Sequence, residues 1–410
     1  MRFRILILLT ALVLASLGNI AEADSAPAFQ GLGDLPGGPF DSSAFGVSAD
    51  GSVVVGNGTV AGGHQAFRWT ASTGMVALAP DSPLENFAYG TSADGSVVVG
   101  SQRLHAFRWS ASGLTVFDST SNAVAVSADG SVVVGQLREG KTARAVRWTN
   151  AGELSELGGD GLSGATDVTA DGSVLAGFHS PGGAPNLEAF RWTARSGVLG
   201  LGYLPGTTRP YSLAYALSDD GSVVVGRAFD GPLLQAFRWT AQTGMQSISP
   251  GLFASANDVS GDGSIVVGDK MQDQFRYDYA FLWDQPHGFR SLKEVLVADF
   301  GLGQRLQGWT LVNAFGISTD GTTIVGTGTN PAGQAEAWRA VLPEPAAAAW
   351  TLLVLSVALT RAGRTHKASD RGAWAPSRPM EPQSRPSPRP VRQSATVCRV
   401  NQFAINLARL

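Results

Sequence analysis

The sequence predicts a seven-bladed β-propeller built from four-stranded blades. The first observation is an eleven-residue motif at Gly46–Gly56, GVSADGSVVVG, which returns in seven recognisable copies. The second is the spacing, because the aspartates of the copies stand 45 residues apart on average, as in propeller blades. The third is that each unit contains four short, strand-like segments. The repeat aspartates are Asp50, Asp94, Asp129, Asp171, Asp220, Asp262 and Asp320.

Each unit is interpreted as a Leu-rich strand, a strand leading into Ser-x-Asp-Gly, a valine strand and a strand carrying Ala-Phe-Arg-Trp. Asp-Gly between two apolar runs predicts a hairpin, because Gly51 adopts positive φ without penalty. Ser48, two positions before the Asp, is expected to hydrogen-bond nearby backbone. The uninterrupted run Val53–Val55 indicates a strand that is covered on both faces. The Leu-rich segments are Leu32–Leu35, Met75–Leu78, Leu114–Phe117, Leu154–Leu157, Val198–Leu204, Met245–Ile248 and Phe289–Leu292.

One Leu-rich segment precedes the first hairpin and none follows the last unit. We therefore expect Leu32–Leu35 to close the ring by pairing with the seventh blade, which leaves only short sheet edges. A β-solenoid is the alternative fold, although the repeat is long for one coil. An insertion at Ser291–Gly308 is predicted to contain a short helix, since Leu292, Val295 and Leu296 have helical spacing.

The first 23 residues are predicted to be a secretory signal peptide. Arg2 and Arg4 form a basic start, Ile5–Leu17 an apolar run, and Ala21 and Ala23 a small-residue cleavage site. The apolar run is short for a membrane-spanning helix, which favours cleavage by signal peptidase. An uncleaved anchor is the alternative.

The repeat domain, residues 24–342, is acidic, with 18 Lys and Arg against 29 Asp and Glu and a net charge of −11. The remaining residues, 343–410, carry a net charge of +7. An acidic domain is a poor partner for nucleic acid, whose affinity depends on neutralised phosphates. The one cysteine, Cys398, lies outside the repeats, so the domain contains no disulfide and no cysteine-bound metal.

The repeats resemble the extracellular HAF-type repeat of bacteria. The first copy carries the resemblance in three consecutive segments, at Leu32–Gly38, Ser48–Gly56 and Ala66–Trp69. It extends from about Phe29 to Ala340. The resemblance implies export and a propeller-like repeat domain, and it brings no established activity.

The segment 343–367 resembles the PEP-CTERM sorting signal. Pro343, Glu344 and Pro345 are followed by the apolar run Ala346–Leu359 and then by basic residues. The resemblance implies that an exosortase-like membrane protease cleaves near the motif and passes the protein to the cell surface or extracellular matrix. An apolar run of 14 residues suits transient membrane insertion, and a plain C-terminal anchor is the alternative. The basic residues are Arg361, Arg364 and Lys367.

Sorting signals of this kind normally end the protein, yet residues 368–410 follow here. This tail is rich in Pro, Arg and Ser, and its composition predicts disorder. It is interpreted as a wrongly extended reading frame, as a cytoplasmic tail left behind on cleavage, or as a sign of impaired sorting.

No catalytic, metal or cofactor site is predicted. The histidines fall at unrelated repeat positions and are interpreted as isolated surface groups. A calcium array at the Asp-Gly turns is the alternative to a purely structural turn, but the turns lack an Asp-x-Asp pattern. The repeated arginines, such as Arg68 and Arg238, are interpreted as packing on an aromatic ring or pairing with an acid between blades, with a ring for anionic sugars as the alternative. The charged stretch Lys270–Tyr279 is the one irregular segment that would suit an enzyme.

We therefore expect an exported, non-enzymatic protein of the bacterial cell surface or extracellular matrix. Its propeller is expected to bind an extracellular polysaccharide or another surface protein. A secreted hydrolase or lyase that acts on glycans is the alternative, and paired carboxylates on one face would favour it.

Overall fold

The computed structural model describes residues 26–343, except 141, 150–152, 159–160 and 274–275 and the side chains of 118–120. The predicted signal peptide, the sorting segment after Pro343 and the tail lie outside the described residues. Within the described part of the chain, every helix is too short or too polar to cross a membrane.

The described strands are numbered β1–β27 in chain order. Blade 1 comprises β2 (Ser43–Val47), β3 (Val53–Val60), β4 (Gly63–Thr70) and β5 (Gly74–Ala77). Blades 2 and 3 comprise β6 (Asn86–Thr91), β7 (Val98–Gln102), β8 (His105–Ser110), β9 (Gly113–Val126), β10 (Val132–Glu139), β11 (Thr142–Thr149) and β12 (Leu154–Glu156). Blade 4 comprises β13 (Ser163–Val168), β14 (Val174–His179), a 3-10 turn (Pro181–Gly183), β15 (Glu188–Thr193) and β16 (Gly197–Gly200).

Blade 5 comprises β17 (Ser212–Leu217), β18 (Val223–Asp230), β19 (Leu233–Thr240) and β20 (Gly244–Ser247). Blade 6 comprises β21 (Phe253–Val259), β22 (Ile265–Asp273), β23 (Arg276–Asp284) and β24 (Gly288–Ser291), and helix α1 (Leu292–Ala298) follows it. Blade 7 comprises β25 (Thr310–Ile317), β26 (Thr323–Thr329), β27 (Ala335–Val341) and β1 (Ala28–Gly31).

The predicted propeller of seven four-stranded blades is confirmed. Blades 2 and 3 share the long strand β9, whose first half is the outermost strand of blade 2 and whose second half is the innermost strand of blade 3. The strand that leads into each Asp-Gly turn is innermost, since these strands contact one another from blade to blade around the ring.

The predicted order of strands within a unit is wrong. The Leu-rich segment is the fourth and outermost strand of a blade, not the first. It pairs with the Ala-Phe-Arg-Trp strand that precedes it, as Met75 does opposite Trp69. The connection between these two strands is a short turn, whereas the connection onward to the next unit is longer, except at β9, which continues directly into blade 3.

Ring closure by an N-terminal strand is confirmed, but the strand is β1 rather than Leu32–Leu35. β1 pairs antiparallel with β27, with Phe29 opposite Ala340. Leu32 and Leu35 follow the end of the strand and are buried. The chain is secured just beyond the strand, where the Gly33 N–H donates to Glu336 Oε1 at 3.0 Å.

The Asp-Gly motif forms the turn between the first two strands of every blade. In blade 1, the Ser48 hydroxyl and the Ser52 N–H both donate to Asp50 Oδ1, at 2.7 and 2.9 Å. The Val53 N–H in turn donates to Ser48 Oγ at 2.9 Å. Gly51 has φ of 70°, a conformation that glycine adopts without strain. The other six copies repeat the Ser or Thr to Asp contact.

The turns also connect neighbouring blades. In five blades, the residue before the aspartate donates its backbone N–H to the carbonyl of the same residue in the next blade, as Ala49 does to Ala93 at 3.0 Å. Ala93, Ala128, Asp219 and Gly261 make the same contact, at 2.9 to 3.0 Å. These bonds satisfy backbone groups that would otherwise be unpaired at the end of the inner strands.

Replacing Asp50 by alanine is expected to lower the free energy of unfolding by about 1 kcal/mol, because two hydrogen bonds to the carboxylate are lost. Asp50→Asn keeps an acceptor oxygen and should recover most of that loss. Urea unfolding of the two variants tests this, and equal destabilisation by Asn and Ala would contradict the turn argument.

The predicted helix in Ser291–Gly308 is confirmed as α1. Ser291 caps its N-terminus, with its side chain accepting from the Glu294 N–H. Leu292, Val295 and Leu296, the residues with helical spacing, are its buried face. They extend the hydrophobic core between blades 6 and 7, which also contains Leu302, Leu306, Trp309 and Phe29.

Candidate functional site

A β-bulge in every innermost strand places one side chain at the propeller axis. In blade 1 the register shifts between Ala44 and Gly46, so that Phe45 is left out of the ladder. Phe45 contacts the equivalent residues of both neighbouring blades, with ring centroids 5.2 Å from Phe315 and 6.0 Å from Tyr89. The bulged residues are Phe45, Tyr89, Val124, Thr166, Tyr215, Asn257 and Phe315. All seven are half-buried, which indicates an axial channel that they line.

Two aspartates follow the bulge where the other blades have Gly or Ala. Asp167 accepts from the Val168 N–H at 2.8 Å and from the Leu217 N–H of blade 5 at 2.9 Å. Asp258 accepts from the Val259 N–H and from the Ile317 N–H of blade 7, both at 2.8 Å. Each carboxylate therefore connects its own blade by a hydrogen bond to the next blade around the ring.

Burial raises the pKa of both channel carboxyls. The pKa of Asp167 rises to about 7, with the two backbone N–H groups opposing the shift. The pKa of Asp258 rises to about 8, because burial is reinforced by the negative charge of Asp167. Both side chains are half-buried in terms of solvent accessibility. They are ionisable groups with pKa values near neutrality, a property that is frequent at functional sites.

In six blades, the residue directly after the glycine that ends the repeat motif is polar and buried, and these residues form a second polar set. Asp269 is 1% exposed, and its Oδ1 has no hydrogen-bond partner among the residues that the structure describes. Burial raises its pKa to about 7, against the side chains of Asn257 and Asn313 and the charge of Arg227, which lower it. Arg227 is 8% exposed and lies over the Tyr215 ring at 5.5 Å. The buried polar residues at this repeat position are Asn57, Ser101, Gln136, Arg227, Asp269 and Thr327.

The charged stretch Lys270–Tyr279 is an extension of the β22–β23 hairpin and its charges pair with one another. Lys270 forms an ion pair with Asp278 and lies 5.4 Å from the Tyr279 ring centroid. Arg276 Nε is 3.3 Å from Asp273 Oδ2. The Arg276–Asp273 pair is exposed and contributes little free energy, whereas the Lys270–Asp278 pair is partly buried. The charges of both pairs are already engaged within the hairpin.

A groove of about 470 Å³ lies at the boundary of blades 5 and 6. Its aromatic surface comes from Trp283 and Phe289, both half-buried. Gln246 and Gln285 add exposed amides, and Arg238 adds a guanidinium whose Cζ is 6.0 Å from the Trp283 ring centroid. This volume lies within the range of about 300–1,000 Å³ that small-molecule sites occupy.

The repeated arginines contact backbone rather than acids. Arg68 Nε donates to the carbonyl of Gly95, in the Asp-Gly turn of the next blade, at 2.9 Å. Arg191 Nε makes the same contact with Gly221 at 2.8 Å. Arg238 reaches Gly263 through Nη2 instead, at 3.3 Å. Its buried Nε has no partner among the described residues, which is also true of Arg108 and Arg147.

The histidines are not all surface groups. His179 is half-buried, and burial lowers its pKa against the opposing charge of Glu188, whose Oε2 lies 3.9 Å away. His64 is half-buried and contacts Asn57 at 3.2 Å, while His105 and His287 are exposed. Across the residues that the structure describes, no group of three or more His, Cys, Asp or Glu is arranged to hold a metal ion.

The channel carboxyls and the groove were both missed by sequence reasoning. Asp167 and Asp258 open two of the seven motif copies, in positions where the others have Gly or Ala, and that difference was the available signal. The groove had no equivalent signal. Every unit but the last pairs its Trp with an apolar residue, so this pairing does not single out one blade, and the groove also needs residues from a second unit.

No protein-family profile and no curated protein matches the chain. Among solved structures, oligogalacturonate lyase from Vibrio parahaemolyticus is 12% identical, with a TM-score of 0.48, and the match covers 78% of this chain and 98% of that one. The β-propeller domain of the Trilobed protease from Pyrococcus furiosus is 14% identical, with a TM-score of 0.46, and the match covers 62% of this chain and 82% of that one.

TolB from Acinetobacter baumannii is 14% identical, with a TM-score of 0.42. The match covers 60% of this chain and 62% of TolB, so the chain spans less than two thirds of that protein. At these identities the likeness concerns the fold alone, and the class of protein that the fold defines is the β-propeller.

Proposed function

We propose that this chain is an exported, non-enzymatic protein of the bacterial cell surface or extracellular matrix, and that its propeller binds polysaccharide. The observation that carries the proposal is the groove between blades 5 and 6. Two half-buried aromatic side chains, Trp283 and Phe289, form its apolar surface. Polar groups from both blades surround that surface.

The chemistry of the groove suits a sugar. One face of a pyranose ring is apolar and packs on an aromatic ring, while its hydroxyls need hydrogen-bond partners around the edge. Gln246 and Gln285 are exposed and each offers both a donor and an acceptor. A groove open along one side also accepts an internal segment of a long chain, as polysaccharide binding requires.

Replacing Gln285 by alanine is expected to weaken polysaccharide binding several-fold without changing stability, because this exposed amide makes no contact that the fold needs. Trp283→Ala should abolish binding, since it removes the stacking surface. Affinity electrophoresis in gels that contain polysaccharide measures both effects.

Trp192→Ala is the matched control, because Trp192 occupies the same repeat position in blade 4 and is likewise half-buried. It should lose stability like Trp283→Ala and keep binding. Equal loss of binding in both tryptophan variants would mean that the groove is not the site.

Export and sorting are the second part of the proposal. Signal peptidase would cleave after Ala23, and an exosortase-like protease would cleave near Pro343, Glu344 and Pro345. Intact-mass analysis of the protein from its native host tests both steps. A mature chain that retains Leu410 would contradict sorting at the motif.

A glycan-cleaving hydrolase or lyase is the second candidate function, and the channel carboxyls favour it. Asp167 and Asp258 have pKa values raised to about 7 and 8, as suits general acids and bases that work near neutral pH. Release of reducing ends or unsaturated products from a polysaccharide, lost in Asp258→Asn, would support the enzyme over the binding protein.

A further inference from the structure

We propose that the groove between blades 5 and 6 selects acidic polysaccharides, with the Arg238 guanidinium pairing with an oxyanion of the sugar. This inference rests on the polysaccharide-binding function proposed above and adds the class of ligand. The oxyanion is a carboxylate of a uronic acid or a sulfate ester, since both fit a guanidinium.

The charge of the groove comes from one side chain. Among the described residues, Arg238 is the only ionisable one that lines it, and no carboxylate lines the groove beside it. Burial lowers the pKa of Arg238, and no neighbouring acid opposes that shift. Arg290, the half-buried cation on the neighbouring strand β24, does have acidic partners, in Asp284 and Asp299.

An uncompensated, half-buried guanidinium favours an incoming anion. Burial has already removed part of its hydration, so a ligand oxyanion displaces less water and pairs in a medium of reduced dielectric. The repeat domain as a whole has a net charge of −11, which repels a polyanion. At physiological ionic strength, however, charges farther than about 8 Å are largely screened, whereas a contact inside the groove is not.

The geometry places the guanidinium beside the stacking surface. The Gly263 carbonyl accepts from Arg238 Nη2 at 3.3 Å and orients the group. Nε is buried without a partner, and Cζ lies 6.0 Å from the Trp283 ring centroid. A sugar ring stacked on Trp283 therefore carries its oxyanion toward Arg238, while Gln246 and Gln285 reach its hydroxyls.

The test compares the affinities of three polymers for the full chain in 0.15 M salt, a concentration at which screening is strong. The polymers are a uronate polymer, a sulfated dextran and neutral dextran, and affinity electrophoresis in gels that contain each polymer measures binding. We expect at least one of the two anionic polymers to bind tenfold or more tightly than neutral dextran. The tighter of the two identifies the oxyanion.

Arg238→Gln should lower the affinity for the anionic polymer to that for neutral dextran, and Arg238→Lys should restore part of it by keeping the charge. Arg191→Gln is the control, because Arg191 makes the equivalent contact with a turn carbonyl in blade 4. The contrary result is that neutral and anionic polymers bind equally, with binding unaffected by Arg238→Gln but lost in Trp283→Ala. That result would overturn this inference and leave the proposed function standing. If none of a broad set of neutral and anionic polymers binds, both fail.

Discussion

Replacing Phe29 by alanine is expected to lower the free energy of unfolding by about 3–5 kcal/mol, the usual loss for a buried phenylalanine. Phe29 is 5% exposed and lies on β1, the strand that completes blade 7 and closes the ring. Its ring packs edge-on against Trp309, with the two ring centroids 5.1 Å apart, and its centroid lies 6.1 Å from that of the Trp338 ring. The substitution therefore removes the side chain that holds the closing strand on the core.

The effect should lie at the upper end of that range, because a loosened β1 leaves the sheet edge of β27 unpaired. Gln30→Ala is the matched control, since Gln30 is the next residue of the same strand and is exposed. Chemical denaturation should give nearly wild-type stability for the control. A Phe29→Ala midpoint equal to that of Gln30→Ala would mean that β1 is not needed for closure.

The turns were predictable from the sequence because they are local. Asp50, Gly51 and Ser48 lie within four residues, and the hydrogen bonds and the positive φ that define the turn involve only them and their neighbours. The seven copies and their spacing then lead to the propeller, since each unit buries its apolar strands only against the next unit.

The order of strands was predictable in principle and was still assigned wrongly. A Leu-rich segment lies between two strands in the sequence and could pair with either. The connection from Trp69 to Met75 is as short as a hairpin turn requires, and this length, rather than the composition of the segment, identifies its partner.

The candidate sites depend on contacts between units, which a repeat does not encode. Arg238 and Trp283 recur in similar form in other blades, and their proximity follows only from the ring. The pKa shifts of Asp167 and Asp258 likewise require the bulge and the neighbouring blade, because desolvation is a property of the assembled channel.

The pH dependence of stability is expected to run opposite to that of most proteins between pH 5 and pH 8. The pKa values of two sets of aspartates are shifted in opposite directions. Hydrogen bonds in the turns lower the pKa of Asp94 and Asp129 to about 2. Burial raises the pKa of Asp167 and Asp269 to about 7 and, together with the charge of Asp167, that of Asp258 to about 8.

The turn aspartates have native pKa values below the unfolded value of 3.8. Their contribution to stability is therefore present above pH 4 and is lost as the pH falls toward 2. The three buried aspartates, Asp167, Asp258 and Asp269, have native pKa values above 3.8. Their native forms keep protons that the unfolded chain has released, so their contribution is full below pH 4 and is lost as the pH rises through 7 to 8. Stability should be greatest near pH 4 to 5.

Urea unfolding between pH 3 and pH 9 measures this profile. Each of these three buried carboxyls makes the slope of the free energy of unfolding against pH more negative by at most about 1.4 kcal/mol per pH unit. Asp269→Asn should reduce the slope between pH 5 and pH 7, because it removes one of the carboxyls whose pKa burial raises to about 7. Asp81→Asn, at an exposed position, should leave the slope unchanged. A free energy of unfolding that rises from pH 5 to pH 8 would mean that the channel carboxylates are ionised in the native protein, and their burial would then need a compensating cation.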